Sequence, residues 1–60
     1  MTHHILRRPE VERLTGLSRS TIYRLMADGE FPKPVKLTRK AVGWQQNTIN
    51  EWLAQRPLTD

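Results

Sequence analysis

Residues 14–26 have the sequence LTGLSRSTIYRLM, which is the most informative segment of the chain. Gly16 can adopt the left-handed backbone conformation that ends a helix, and Ser18 can cap a new helix two residues later. This spacing is typical of a helix-turn-helix, in which the second helix presents its first turns to the DNA major groove. That helix opens on side chains that hydrogen-bond phosphates or base edges, namely Ser20, Thr21, Tyr23 and Arg24. The stretch predicts a small DNA-binding domain.

The length and composition of the chain favour one small domain that spans residues 1–60. A chain this short buries only about 60% of the surface that it exposes when unfolded, so we expect modest stability and frayed ends at 1–4 and 57–60. Because the chain lacks cysteine, neither disulfides nor a thiolate metal site are expected. No apolar run approaches the roughly 20 residues that cross a membrane, and no signal-peptide core is present. We therefore expect a cytoplasmic, nucleoid-associated protein.

Positive charge is concentrated in the middle of the chain. The net charge is +4 and the isoelectric point is about 10.4, which suggests an anionic partner. Six lysines and arginines face only two acidic residues between Arg19 and Lys40, whereas residues 45–60 carry a net charge of −1. The alternative is a solvated basic surface that only keeps the protein soluble. The coincidence of charge and motif favours the anionic partner.

The first helix is expected to open at Arg8-Pro9 and to stop at Gly16. Proline fits the first helical turn, where its missing N–H is not needed. Val11 and Leu14 stand three residues apart, so we expect both to face the core.

The second helix is expected from about Arg19 to Asp28, with Gly29 as its stop. Ile22, Leu25 and Met26 follow helical spacing and form one apolar stripe. The opposite side is polar and carries Ser20, Arg24 and Asp28.

A small hairpin is expected after the second helix, because Val35-Lys36-Leu37 and Ala41–Trp44 alternate apolar and polar residues. Two prolines favour an extended backbone over residues 31–34. Phe31 is expected to pack into the core. The turn at Thr38–Lys40 would give the hairpin a basic tip. The lead-in at 5–7 is either a brief strand or an irregular segment that packs against the core.

A third helix is expected from about Gln45 or Gln46 to Gln55, with Pro57 after it. Ile49, Trp52 and Leu53 repeat at helical spacing, and the segment has almost no cation, so it is assigned to packing. Trp44 and Trp52 could stack on bases, but core packing is favoured because each lies on an apolar face.

A pattern of four blocks, in a defined order and spacing, runs through the chain: Leu6–Val11, Thr15–Arg24, Gly29–Val35 and Ala41–Trp44. In this pattern the chain resembles the AlpA-like regulators, a family of small prophage-associated proteins. That family is related to phage excisionases and, more distantly, to the winged-helix heads of MerR-type regulators.

The resemblance implies a mainly α-helical, winged helix-turn-helix fold with three helices and a small β-hairpin. It also implies binding to double-stranded DNA at a promoter or phage attachment site. Residues that match the recognition helix are Arg19, Ser20, Thr21, Tyr23 and Arg24. Residues assigned to the wing are Arg39 and Lys40 at its tip, with Lys36 contributing to its positive field.

Each candidate residue also has a structural alternative. Arg24 could pair with Asp28 on the same helix, although such a pair contributes only a few tenths of a kcal/mol. Ser20 or Thr21 could serve as a local cap, and Tyr23 could belong to the core. The charges at the hairpin tip could instead protect a sheet edge from pairing with other strands.

We expect a sequence-specific regulator of transcription in a prophage or integrated element. One alternative is an excisionase-type factor that bends DNA, and another is an adaptor that binds a regulator without DNA. No catalytic constellation is apparent, and no cofactor, metal or small-molecule ligand is expected, even at His3 and His4. A single module this small suggests paired or tandem sites, self-association or cooperative binding.

Overall fold

The computed structural model describes residues 4–59, and in this range it confirms the expected three helices and small hairpin. The expected fraying and the assignment of residues 1–60 to one domain stay predictions; residues 1–3 (with His3) and 60 lie outside the described range. In chain order, the elements are β1 (Ile5–Leu6), α1 (Arg8–Thr15), α2 (Arg19–Ala27), β2 (Val35–Lys36), β3 (Val42–Gln45) and α3 (Gln46–Ala54).

Helix α1 ends where the sequence predicted, because Gly16 has a φ of 73° and its N–H donates to a carbonyl one turn earlier. Val11 is fully buried, but Leu14 is 48% exposed, so the prediction that Leu14 faces the core was wrong. In a helix, position i+4 lies closer than i+3 to the direction of a buried residue. Thr15 takes that place and bonds the Val11 carbonyl, while Leu17 packs on the core beyond the turn.

Helix α2 begins as predicted, with Ser18 as its cap. The Ser18 hydroxyl accepts a hydrogen bond from the backbone N–H of Thr21 at 3.3 Å. The helix ends one residue earlier than expected, since Asp28 is the C-cap, and Gly29 follows with a φ of 74°. Ile22 is buried and Leu25 and Met26 pack against the core, which leaves the polar side of α2 facing outward.

The three strands form one antiparallel sheet in the order β1-β3-β2. The expected hairpin is present, with Val35 opposite Gly43 and Lys36 opposite Val42. The lead-in proves to be a strand, because Leu6 pairs with Trp44 on the other side of β3. The sheet thus joins the amino-terminal segment to the hairpin.

The core is aromatic at its centre. Phe31 is buried as expected and makes edge-to-face contacts with Trp44 and Trp52, at centroid separations of 6.3 and 4.7 Å. Each indole N–H donates to a backbone carbonyl at 2.8 Å, Trp44 to Pro32 and Trp52 to Glu30. Both tryptophans therefore pack in the core. Their indole hydrogen bonds also hold residues 30–32, in the segment that leads from α2 into the hairpin.

Candidate nucleic-acid interface

The outer face of α2 is open to solvent. Tyr23 is 47% exposed, and Arg19, Ser20 and Arg24 are also exposed. Thr21 differs from these residues because it is half-buried and its hydroxyl lies 2.9 Å from the Ser18 hydroxyl. Ser18 and Thr21 thus hydrogen-bond to each other at the start of the helix. The Ser20 hydroxyl takes no part in this cap and remains available to an external partner.

Arg19 and Tyr23 lie one helical turn apart and are in contact. The guanidinium carbon of Arg19 is 5.7 Å from the centroid of the Tyr23 ring. A guanidinium over an aromatic face keeps its N–H donors directed outward in its own plane. The pair therefore presents a cation and a phenol hydroxyl at the amino-terminal half of α2.

Arg24 is free of the intrahelical pair that was its structural alternative. Within residues 4–59 the single ion pair joins Arg8 and Glu12, with Nε 3.1 Å from the carboxylate. Asp28 instead occupies the C-cap through its backbone. The Arg24 guanidinium is thus available for bidentate contact with a phosphate or with a guanine edge.

The hairpin presents three exposed cations, Lys36 on β2 and Arg39 and Lys40 at the turn. Backbone N–H groups of Leu37 and Lys40 donate to the Ala41 carbonyl at 2.8 Å and to the Thr38 hydroxyl at 3.2 Å. Thr38 therefore organises a tip that has no Asn-Gly turn. These hydrogen bonds restrain the backbone of the turn that carries the two tip cations.

A groove of about 220 Å³ brings three parts of the fold together: the start of α1, the side of α2 and the hairpin. Two of the predicted residues, Tyr23 and Lys40, line it together. No side-chain hydrogen bond or ion pair in residues 4–59 links the other predicted residues to one another. The full lining is Arg7, Arg8, Pro9, Tyr23, Lys40, Val42 and Trp44.

Arg7 and Arg8 were not singled out from the sequence as interface residues. Arg7 is the N-cap of α1 and Arg8 is its first residue, and their approach to Tyr23 and Lys40 depends on the pairing of β1 with β3. The available signal was the Arg-Arg-Pro run, in which two adjacent cations lie at the start of a helix. Only the tertiary structure brings that run beside α2.

Between residues 4 and 59 there is no cluster of three or more His, Cys, Asp or Glu side chains suited to a metal ion. In the same range no helix has the length and apolar character needed to traverse a bilayer.

Comparisons with known proteins place the chain among prophage proteins. The family model for the prophage CP4-57 regulatory protein (AlpA) matches residues 4–57. The chain is 45% identical over 58 residues to the DNA-binding transcriptional activator AlpA of Escherichia coli K12, covering 87% of this chain and 83% of that protein. It is 53% identical over 51 residues to the uncharacterized protein ORF88 of Enterobacteria phage P4, covering 85% of this chain.

The chain spans only 58% of the length of the phage P4 relative. No solved structure matches the chain.

Proposed function

The chain belongs to the AlpA family of prophage regulatory proteins, and from this premise we propose that it is a sequence-specific, double-stranded DNA-binding regulator of transcription in a prophage or integrated element. The observation that carries the proposal is the exposed face of α2, where Arg19, Ser20 and Arg24 are open to solvent and make no ion pair within residues 4–59. The name of the Escherichia coli relative, a DNA-binding transcriptional activator, points to the same activity. Binding to the DNA of a prophage would locate the protein in the cytoplasm, on the nucleoid.

In the proposed complex, α2 lies in the major groove and α1 braces it from behind. The Arg24 guanidinium reads a guanine through O6 and N7, a contact that contributes about 1–3 kcal/mol of discrimination. Ser20 and Tyr23 hydrogen-bond base edges or phosphates, and Arg19 binds the backbone near the start of the helix. Thr21 supports the start of α2, because both its hydroxyl and its backbone N–H are engaged with the Ser18 hydroxyl.

The hairpin acts as a wing in this proposal. Arg39 and Lys40 contact the minor groove or the adjacent backbone, where narrow grooves attract cations. Lys36 lies on β2, back from the tip, and contributes to the positive field that draws the duplex in. Helix α3, which has no basic residue in its last turn and packs on the core, stays away from the DNA.

The small size of the module limits its affinity. A single module of this kind buries about 600–1,000 Å² of protein surface on DNA. That area is small for tight binding by one copy, so we propose that the protein acts at paired or tandem sites, or binds cooperatively. Neither a cofactor nor a small-molecule ligand enters the mechanism.

Selection of bound sequences from a random duplex pool tests the proposal directly. We expect one enriched motif, with repeats whose spacing reports how copies are arranged. About six phosphate contacts would give a slope near −5 for log affinity against log salt concentration. A slope shallower than about −2, or a pool without enrichment, would contradict the proposal.

Two further measurements separate the proposal from its rivals. An adaptor that works without DNA would keep its regulatory activity when Arg19 and Arg24 are both replaced by alanine, whereas a DNA-binding regulator would lose it. An excisionase-type factor would change the gel mobility of a complex as the site is moved along a fragment. A regulator that leaves the duplex straight would not.

A further inference from the structure

The groove between α1, α2 and the hairpin is lined by cations and has no acidic residue in its lining. Arg7 and Lys40 are exposed, and neither makes an ion pair within residues 4–59. Arg8 differs because Glu12 offsets its charge at 3.1 Å, and its side chain is only 34% exposed. Two uncompensated cations therefore remain in the lining of the groove.

The backbone holds both cations in place. The N–H of Arg7 donates to the Glu10 carboxylate at 3.1 Å at the start of α1. The N–H of Lys40 donates to the Thr38 hydroxyl at 3.2 Å within the hairpin turn. These hydrogen bonds restrain the backbone at both residues, so ordering on anion binding falls mainly on the two side chains.

We propose that this groove seats one phosphodiester of the DNA backbone, bound jointly by Arg7 and Lys40, with the Tyr23 hydroxyl available as a further donor. The inference rests on the proposed DNA-binding function and deepens it. We call this groove, with Arg7, Lys40 and Tyr23 in its lining, the phosphate seat. It adds Arg7 to the interface and assigns Lys40 a specific partner, one backbone phosphate.

The chemistry of the lining favours a phosphodiester over a base. Val42 is exposed and contributes apolar surface that suits the carbons of a deoxyribose, and the cations supply donors without acceptors. A base edge presents both donors and acceptors, whereas a phosphate presents acceptors only. A volume of about 220 Å³ accommodates a phosphate with part of its sugar.

The seat has a consequence for positioning. Its lining comes from α1, α2 and the hairpin, so one backbone phosphate would fix the recognition helix relative to the wing. Contacts of this kind set register and orientation without carrying sequence information. Loss of the seat should therefore weaken binding to all duplexes by a similar factor.

The test replaces single phosphates of a bound duplex by neutral methylphosphonates and measures affinity for the full chain and its variants. For the unmodified protein, we expect one linkage whose neutralisation weakens binding by about tenfold, the size of one charge-assisted contact. In Arg7→Ala and in Lys40→Ala one cation of the groove remains, so neutralising that same linkage should still weaken binding, but by clearly less than in the unmodified protein. Linkages elsewhere should keep their effects in both variants.

Arg13→Ala is the matched control, because Arg13 is an exposed cation on α1 that does not line the groove. It should leave the whole phosphonate pattern unchanged. If no linkage has a reduced effect in both variants, or if Arg13→Ala reduces the effect of the same linkage, the shared seat is overturned. Failure of the unmodified protein to bind any duplex would instead refute the proposed function, so the two failures are distinguishable.

Inorganic phosphate presents the same acceptor oxygens as a phosphodiester, so its binding to the groove is measured separately. Inorganic phosphate is titrated at constant ionic strength, and the fluorescence of the tryptophans is followed. Weak binding without saturation at millimolar phosphate supports a seat built for a duplex. Saturation by phosphate alone, together with unchanged duplex affinity of Arg7→Ala, would overturn the assignment to DNA.

Discussion

The guanidinium of Arg19 lies over the ring of Tyr23, one turn further along α2, with 5.7 Å between its central carbon and the ring centroid. Both side chains are exposed, so the contact restrains two groups that would otherwise sample many rotamers. A restrained pair loses less entropy when it binds, which favours its use as one donor unit.

Tyr23→Phe separates the ring from the hydroxyl. The hydroxyl has no hydrogen-bond partner in residues 4–59, so the melting temperature should not change. If the hydroxyl bonds DNA, affinity should fall by about three- to tenfold, as expected for one hydrogen bond. Fluorescence anisotropy with a labelled duplex measures this loss.

Tyr23→Leu is the companion variant, because it removes the ring that Arg19 rests on. It should weaken binding further and make Arg19 less effective, which a double-mutant cycle with Arg19→Ala would measure. Equal affinity of Tyr23→Phe and the unmodified protein would restrict the role of Tyr23 to its ring.

Ser18→Asp should uncouple stability from DNA binding. Aspartate caps a helix as well as serine does and its charge suits the helix amino terminus, so stability should be retained. Ser18→Ala, by contrast, should cost about 1 kcal/mol of unfolding free energy. Urea denaturation distinguishes the two variants.

In the proposed complex, the carboxylate of Ser18→Asp would lie where the start of α2 approaches the DNA backbone, and it should repel the phosphates. We therefore expect weaker duplex binding by Ser18→Asp, with the loss reduced at high salt. Undiminished affinity would mean that the start of α2 lies away from the DNA.

Gly43 has no room for a side chain. A Cβ at this position of β3 would lie 2.6 Å from the Ile5 side chain and 3.0 Å from the Leu6 carbonyl oxygen. Gly43→Ala should therefore strain the pairing of β1 with β3 and cost about 1–3 kcal/mol, as overpacking does. Because β1 leads into Arg7, we also expect the phosphate seat to be disturbed.

Gly16→Ala is a useful comparison for Gly43→Ala. Nothing lies within 4 Å of a Cβ at Gly16, so its cost comes only from the backbone, whose φ is 73°. We expect about 1–2 kcal/mol, the penalty for a left-handed residue. If Gly43→Ala were as stable as the unmodified protein, the close packing of β1 on β3 would be contradicted.

Local signals made the helix-turn-helix predictable from the sequence. Gly16 and Ser18 act within a few residues of their own position, and the conformations that they require are those observed. The stripe of α2 and the hairpin strands followed from periodicity for the same reason. The expected roles of the individual interface residues stay predictions.

Features that depend on distant segments were harder to predict. Leu14 was expected inside because its spacing from Val11 allows it, but the way α1 lies on the core decides which neighbour is buried. Nothing in the sequence indicated that Arg7 and Lys40 line one groove, because they come together only when β1 pairs with β3 in the sheet. Whether the segment 5–7 contains a strand was open because the partner of β1, strand β3, lies about forty residues later.

Arg24→Lys distinguishes base recognition from charge. Lysine keeps the charge at the exposed face of α2 but loses the planar fork that matches guanine O6 and N7. We expect nonspecific affinity and the salt slope to stay unchanged, while preference for the enriched motif falls by about 1–3 kcal/mol at one base pair. Arg24→Ala should lower both the slope and the preference, and Arg13→Lys should alter neither. If Arg24→Lys keeps the full preference in a repeated selection, Arg24 binds a phosphate, and specificity then depends on Ser20 and Tyr23.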